Sequence, residues 1–223
     1  MNFYTNIQLV SDKILFRGYK DGERVMFRDT MSPVLFVQTE KPSKFKTLDD
    51  KNVKPINFMS PRDARDFLKK YSEVDNFDIY GYERFLYQYI ADKFPQEEIK
   101  FDMSVMNIIT LDIEVECENG FPDVESASEW NVYLYDIPYI CRRLERVLSE
   151  KHMRSLSPWN LINYREFTIH GRKNIAYDLG GVSCLDYLDL YKKFTYSNQE
   201  SYRLDHIAFV ELGQKKLDHS EYE

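Results

Sequence analysis

Residues 105–116, Val-Met-Asn-Ile-Ile-Thr-Leu-Asp-Ile-Glu-Val-Glu, constrain the fold more than any other stretch of the chain. The run is almost continuously apolar as far as Leu111, and carboxylates then appear at Asp112, Glu114 and Glu116. A half-buried strand alternates apolar and polar residues, whereas a continuous run suits a central strand covered on both faces. Asp112 and Glu114 stand two apart, so on a strand they point to the same face. Two such acids repel each other unless water or a divalent cation sits between them. Hard oxygen donors of this kind suit Mg²⁺ or Mn²⁺. Alone, an Asp-x-Glu pair is more often two solvated acids at a strand end than a metal site.

Upstream, the chain reads as β. Phe3 to Val10, Lys13 to Lys20, Glu23 to Arg28 and Val34 to Thr39 are aromatic and β-branched runs, with Asp21-Gly22 as a hairpin turn. Lys41 to Lys54 is polar and reads as a loop. Ser60-Pro61-Arg62-Asp63 supplies an N-cap, a proline and an acid, predicting a helix from Pro61 to Tyr71 with Ala64, Phe67, Leu68 and Tyr71 inward. A second helix is expected over Tyr82 to Lys93, with Phe85, Leu86, Tyr89 and Ile90 inward. Downstream, a helix is expected from Asp136 or Ile137 to Lys151, with Ile140, Leu144 and Leu148 or Val147 inward. A short helical turn over Leu156 to Ile162 precedes a hairpin around His170-Gly171. A short strand over Val182 to Leu185 and helices over Asp186 to Phe194 and Tyr202 to Leu212 complete the pattern.

The 223 residues, 43% of them hydrophobic, suffice for one large or two small cores. No run of about 18 apolar residues exists, and polar residues interrupt any signal-peptide core, so a non-membrane, cytoplasmic protein is expected. Cys117, Cys141 and Cys184 are odd in number and widely spaced, which suits reduced thiols. The net charge of −7 argues against a general grip on duplex DNA. Local basic patches remain, one over 142–173 and one over Lys41 to Lys54 with Phe45 between. Each suits phosphate or single strands, or simply a solvated surface.

Leu-Asp-Ile-Glu at 111–114 is followed by Asn119-Gly120-Phe121-Pro122, Trp130-Asn131 and Tyr135-Asp136-Ile137-Pro138-Tyr139. Leu185-Asp186-Tyr187-Leu188-Asp189-Leu190-Tyr191-Lys192-Lys193-Phe194 comes later. In this order the motifs resemble the proofreading 3′→5′ exonuclease region of family B DNA polymerases of the T-even-phage type, over nearly the whole chain. The resemblance implies an α+β chain: an N-terminal β-meander with helices, then a truncated RNase H-like domain. It implies domains over 1–103 and 104–194, with 195–223 returning to the first. It makes Asp112, Glu114 and Asp136 the catalytic, metal-holding acids. Asn131 would position a single-stranded DNA 3′ end, and Phe121 would stack on it or pack in its loop. The His170-Gly171 hairpin would match one that separates primer from template.

Two departures qualify the resemblance. Only a short loop separates Glu114 from Asn131, where the family has further strands and a helix. No third motif, Tyr-x-x-x-Asp, follows the second, and no polymerase motif such as Asp-Thr-Asp-Ser occurs. The expectation is a degenerate two-metal nuclease. The alternative is a non-catalytic module that binds nucleic acid, RNA included, or docks with a separate palm-bearing chain.

Overall fold

The computed structural model describes residues 2–81, 83–95, 98–111, 113, 136–169 and 172–214. Contacts divide the chain into two compact units, Met1–Met106 and Asn107–Glu223.

The first unit opens with β1 (Phe3–Val10), β2 (Lys13–Lys20) and β3 (Glu23–Asp29), an antiparallel meander. Asp21 and Gly22 take φ of 54° and 87°, the positive values a two-residue turn needs to match strand twist. A second antiparallel sheet, in the order β5-β6-β4-β7, combines β4 (Val34–Gln38), β5 (Phe45–Lys46), β6 (Asn52–Asn57) and β7 (Ile79–Tyr80). The predicted loop over Lys41 to Lys54 is therefore corrected, since it contains β5 and the start of β6. A tight turn makes them: the Thr47 N–H donates to Lys51 O at 2.9 Å, and Asp50 takes φ 60°. Polar composition concealed a hairpin that cross-strand pairing, not local propensity, holds together.

α1 (Pro61–Tyr71) has its predicted ends, capped by Ser60 Oγ, which accepts from the Asp63 N–H at 3.2 Å. α2 (Phe85–Lys93) starts three residues later than expected. Ile14, Phe16, Leu35, Ala64, Phe85 and Tyr89 form the core between sheets and helices. Full burial of each large side chain there contributes about 1.5–3 kcal/mol. Gly18 lets β1 approach β2 closely, because a Cβ there would stand 2.2 Å from Phe3 O.

The second unit contains α3 (Asp136–Val147), α4 (Glu150–Arg154), a hairpin of β8 (Ile162–Ile169) and β9 (Arg172–Leu179), α5 (Tyr187–Phe194) and α6 (Leu204–Leu212). Ile137, Cys141, Met153, Ile162, Tyr177 and Leu179 make its core. The predicted single helix from Asp136 to Lys151 is broken at Leu148-Ser149, where Ser149 caps α4. Its inward stripe is Ile137, Cys141 and Leu144, while Val147 and Leu148 are exposed. Residues 155–160 form turns, not a helix, and Val182 to Leu185 is not a strand.

The largest correction concerns the predicted central strand. Met103–Val105 is a short 3₁₀ turn, with Asp102 accepting from the Ser104 N–H. Among the described residues, 107–111 pair with no strand, and Ile109 is 83% exposed. A strand exists only through its neighbours, and β-propensity without a paired backbone does not make one. Asp112 and residues 114–116 lie outside the described residues. The α+β class itself is borne out, with an antiparallel N-terminal sheet and a mixture of helices and strands.

Candidate functional site

Of the five residues expected at the site, the structure describes Asp136. Asp112, Glu114, Phe121 and Asn131 lie outside the described residues. Asp136 is the first residue of α3 and is 9% exposed. Partial positive charge at a helix N-terminus favours a carboxylate there. Pro138 behind it is buried, and buried Ile137 and Cys141 pack with Ile162, Tyr177 and Leu179 of the hairpin. Proline is tolerated in this first turn, where backbone N–H groups have no intrahelical acceptor. Asp136 is thus a hard oxygen donor on a rigid base, as a divalent-ion ligand needs to be. Among the described residues, no group of three His, Cys, Asp or Glu side chains comes together to hold a metal.

The elements around Asp136 are ordered by polar contacts that motif reading missed. Arg142, on the next turns of α3, hydrogen-bonds Tyr177 of β9. Burial pushes the Tyr177 phenol above its ordinary value, and Arg142 opposes this. Burial also pushes the Cys141 thiol up to about 11, with Cys184 and Glu145 adding to it. Ser157, 2% exposed, donates to Gly180 O at 2.7 Å and accepts from the Leu161 N–H at 3.0 Å, tying the chain into β8 to the end of β9. Asp186, 3% exposed, caps α5 by accepting from the Leu188 and Asp189 N–H groups at 2.8 and 3.1 Å. The Asp186-x-x-Asp189 spacing was the available signal for that cap. No comparable signal marked Ser157.

The hairpin expected around His170-Gly171 forms, with register running from Ile162↔Leu179 to Ile169↔Arg172. His170 and Gly171 themselves lie outside the described residues. In the basic stretch over 142–173, Arg154 is bound to Glu150 at 2.7 Å, and Arg165 lies over the Phe167 ring.

The lysine-rich stretch of the first unit acquires a geometry. Leu35 and Val37 are buried, so the alternating Phe36 faces the opposite side of the sheet. Phe36 pairs with Tyr80 on β7, and its ring lies 5.2 Å from that of Phe45 on β5. Lys44 sits over Phe45, 4.8 Å from the ring centre. Half-buried Phe36, Phe45 and Tyr80 share one sheet face, with Lys44 over Phe45, and aromatic rings so placed can stack on bases.

Comparison with known proteins agrees with the motifs. Residues 127–207 match the DNA polymerase family B exonuclease domain. That stretch includes Asn131 and Asp136 but not Asp112, Glu114 or Phe121. The chain is 24% identical over 300 positions to the DNA-directed DNA polymerase of Enterobacteria phage T4, covering 96% of this chain and 33% of that one. It is 24% identical over 304 positions to the DNA-directed DNA polymerase of Escherichia phage RB69, with the same coverage. The chain thus spans about one third of the length of these relatives. An alignment of 300 positions exceeds the 223 residues here, so at least 77 positions of the T4 relative face no residue of this chain. These matches bear out the resemblance carried by the motifs: over nearly its whole length the chain is similar to phage-type family B DNA polymerases, and its residues 127–207 are the part that matches their exonuclease domain.

Proposed function

We propose that this chain is the exonuclease-bearing portion of a phage-type family B DNA polymerase, acting in DNA replication in the host cytoplasm. Its substrate is the 3′ end of single-stranded DNA. The observation that carries this reading is Asp136, a buried carboxylate at the N-terminus of α3 inside the stretch that matches the exonuclease domain. Asp112, Glu114 and Asp136 hold Mg²⁺ or Mn²⁺, Asn131 positions the frayed end, and Phe121 stacks on it. Bound divalent ions supply Lewis acidity at a phosphodiester. Asp136 supplies a ligand oxygen fixed in place by the core beneath α3, which keeps the ligand geometry from drifting.

The same reading makes the site degenerate. The short Glu114–Asn131 connection supports a reduced cleft wall. The exposure of residues 108–111, where a central strand was expected, supports the same view. The proposed organisation is 1–103, a truncated RNase H-like 104–194, and a segment 195–223 that returns to the first domain. Among the described residues no helix is long and apolar enough to cross a membrane.

The test is Mn²⁺- and Mg²⁺-dependent cleavage of a 3′-labelled single-stranded oligonucleotide. Slow, metal-dependent cleavage lost in both Asp112→Ala and Asp136→Asn supports the reading. Cleavage indifferent to both substitutions refutes it.

The aromatic platform of Phe36, Phe45 and Tyr80 favours a second reading: a non-catalytic module that binds single strands, RNA included, or works beside a separate palm-bearing chain. Loss of oligonucleotide binding in Phe36→Ala/Phe45→Ala, with no cleavage by the wild type, favours that reading.

A further inference from the structure

α5 and α6 contribute no buried residue, and neither supplies a side chain to the core cluster of the second unit. They run for 8 and 9 residues, lengths at which a helix in water is marginal unless an apolar face packs against something. What joins the two helices is polar. The Tyr191 hydroxyl donates to Glu211 Oε1 at 2.6 Å, and the Tyr191 and Tyr202 rings meet at 6.5 Å. Lys192 Nζ lies 4.8 Å from the centre of the Tyr202 ring. The large apolar side chains stay in solvent. Tyr187 is 86% exposed and Phe194 69%, and Tyr196, Leu204, Val210 and Leu212 are exposed as well. Tyr187, Tyr191 and Phe194 recur at helical spacing, so they form one stripe along α5.

Exposed apolar surface gathered in this way marks a site of protein association. An aromatic side chain buries about 150–250 Å², and a specific interface takes about 800 Å² from each partner. Tyr187, Phe194 and Tyr196 therefore supply roughly half of what a stable dimer needs before the aliphatic side chains are added. Charge identifies the occupant. α5 carries Asp189, Lys192 and Lys193, a net charge of +1, and α6 carries Asp205 and Glu211, a net charge of −2. Among the described residues no carboxylate pairs with Lys192 or Lys193. A partner for this helix pair needs apolar side chains, with acids opposite α5 and bases opposite α6. The helix pair itself meets that description. Turned about a two-fold axis, α5 of one copy faces α6 of the other, and the same contact is made twice. A chain with a net charge of −7 repels its own copy at long range, so association is confined to a face where opposite charges meet.

We propose that the face formed by α5 and α6 is a dimer interface covered by a second copy of this chain, with Lys192 and Lys193 of each copy meeting Glu211 of the other. The apolar centre excludes water and supplies most of the affinity, while the charges set register and partner choice. The interface uses none of the carboxylates of the exonuclease reading and does not depend on them.

The test is sedimentation velocity of the full chain in EDTA, from low to high micromolar concentration. The 26.7 kDa chain should pass from monomer to dimer and go no further. Tyr187→Ser/Phe194→Ser changes only exposed side chains, so its circular dichroism spectrum should match wild type. It should weaken dimerisation by about tenfold or more. Charge reversal separates the proposed pairing from indiscriminate apolar association. Lys192→Glu/Lys193→Glu and Glu211→Lys should each dimerise about fivefold more weakly alone. Mixing these two variants should restore a dimer containing one copy of each. A chain that stays monomeric throughout overturns the proposal and leaves the face to another occupant. Species that grow beyond the dimer overturn it, as does a dimer that Tyr187→Ser/Phe194→Ser leaves intact. A mixture of the charge variants no tighter than either alone overturns it too. Asp136→Asn should leave the dimer unchanged, so failure of the exonuclease reading is read separately from failure of this one.

Discussion

Asp29 stands at the end of β3 with its carboxylate shared between the Tyr89 hydroxyl at 2.8 Å and Lys93 Nζ at 3.1 Å. Partial burial pushes its pKa up, but hydrogen bonds from Tyr89, the Thr30 N–H and Lys93 outweigh it and hold the group below its ordinary value of 3.8. A carboxylate with a lowered folded-state pKa stabilises the fold above its unfolded value and loses that contribution as pH falls through the folded value. Asp29→Asn should therefore destabilise the first unit at neutral pH, and the difference from wild type should shrink below pH 3.8. Denaturant midpoints measured across the acid range check this. Cys141 behaves in the opposite sense. Burial, aided by Cys184 and Glu145, raises its pKa from 9.0 to about 11, so stability from the neutral thiol is lost as pH rises between those values. At neutral pH almost no thiolate forms, and a disulfide-exchange reagent should reach Cys141 only at the rate of unfolding. Rapid labelling of the native thiol would contradict its burial. The residue scale is also where sequence reading was weakest. Asp136 was identified from its motif, but the hydroxyl of Ser157, bonded to Gly180 O, becomes visible only when two distant segments meet.

Elements followed their local signals wherever those signals were self-contained. α1 begins at Pro61 because Ser60 caps it, and Ser60→Ala should cost about 1 kcal/mol in a urea titration. A loss near zero would mean that water replaces the cap. The turn at Asp21-Gly22 and the hairpin of β8 and β9 were equally legible, since turn chemistry and alternation are short-range. Elements that needed partners were not. Residues 107–111 have strand composition, yet no strand among the described residues pairs with them. β5 and β6 form in a polar stretch because Phe45 pairs with Val53. Gly18 belongs to the same class, as its requirement is set by Phe3 across the sheet. Gly18→Ala should destabilise the meander because the added carbon meets backbone rather than a movable side chain.

At the scale of the molecule, the two units have separate cores, one around Phe85 and one around Cys141. Both tryptophans, Trp130 and Trp159, fall within residues 107–223. Phe85→Ala is expected to cost the first unit about 3–5 kcal/mol. It should shift the circular dichroism transition while the tryptophan fluorescence transition stays in place. Coincident shifts in both signals would show that the chain unfolds as one. The sequence by itself determined the α+β class, the Ser60 cap of α1, the Asp21-Gly22 hairpin turn and the order of the motifs. Each depends on residues within a few positions of one another, where sterics and hydrogen-bond reach decide. Only the tertiary structure decided that Asp136 is buried at a helix start, that Leu148 faces out, and that Phe45 pairs with Val53. Burial and cross-strand register depend on segments far apart in the chain, and no local pattern encodes which of them will meet.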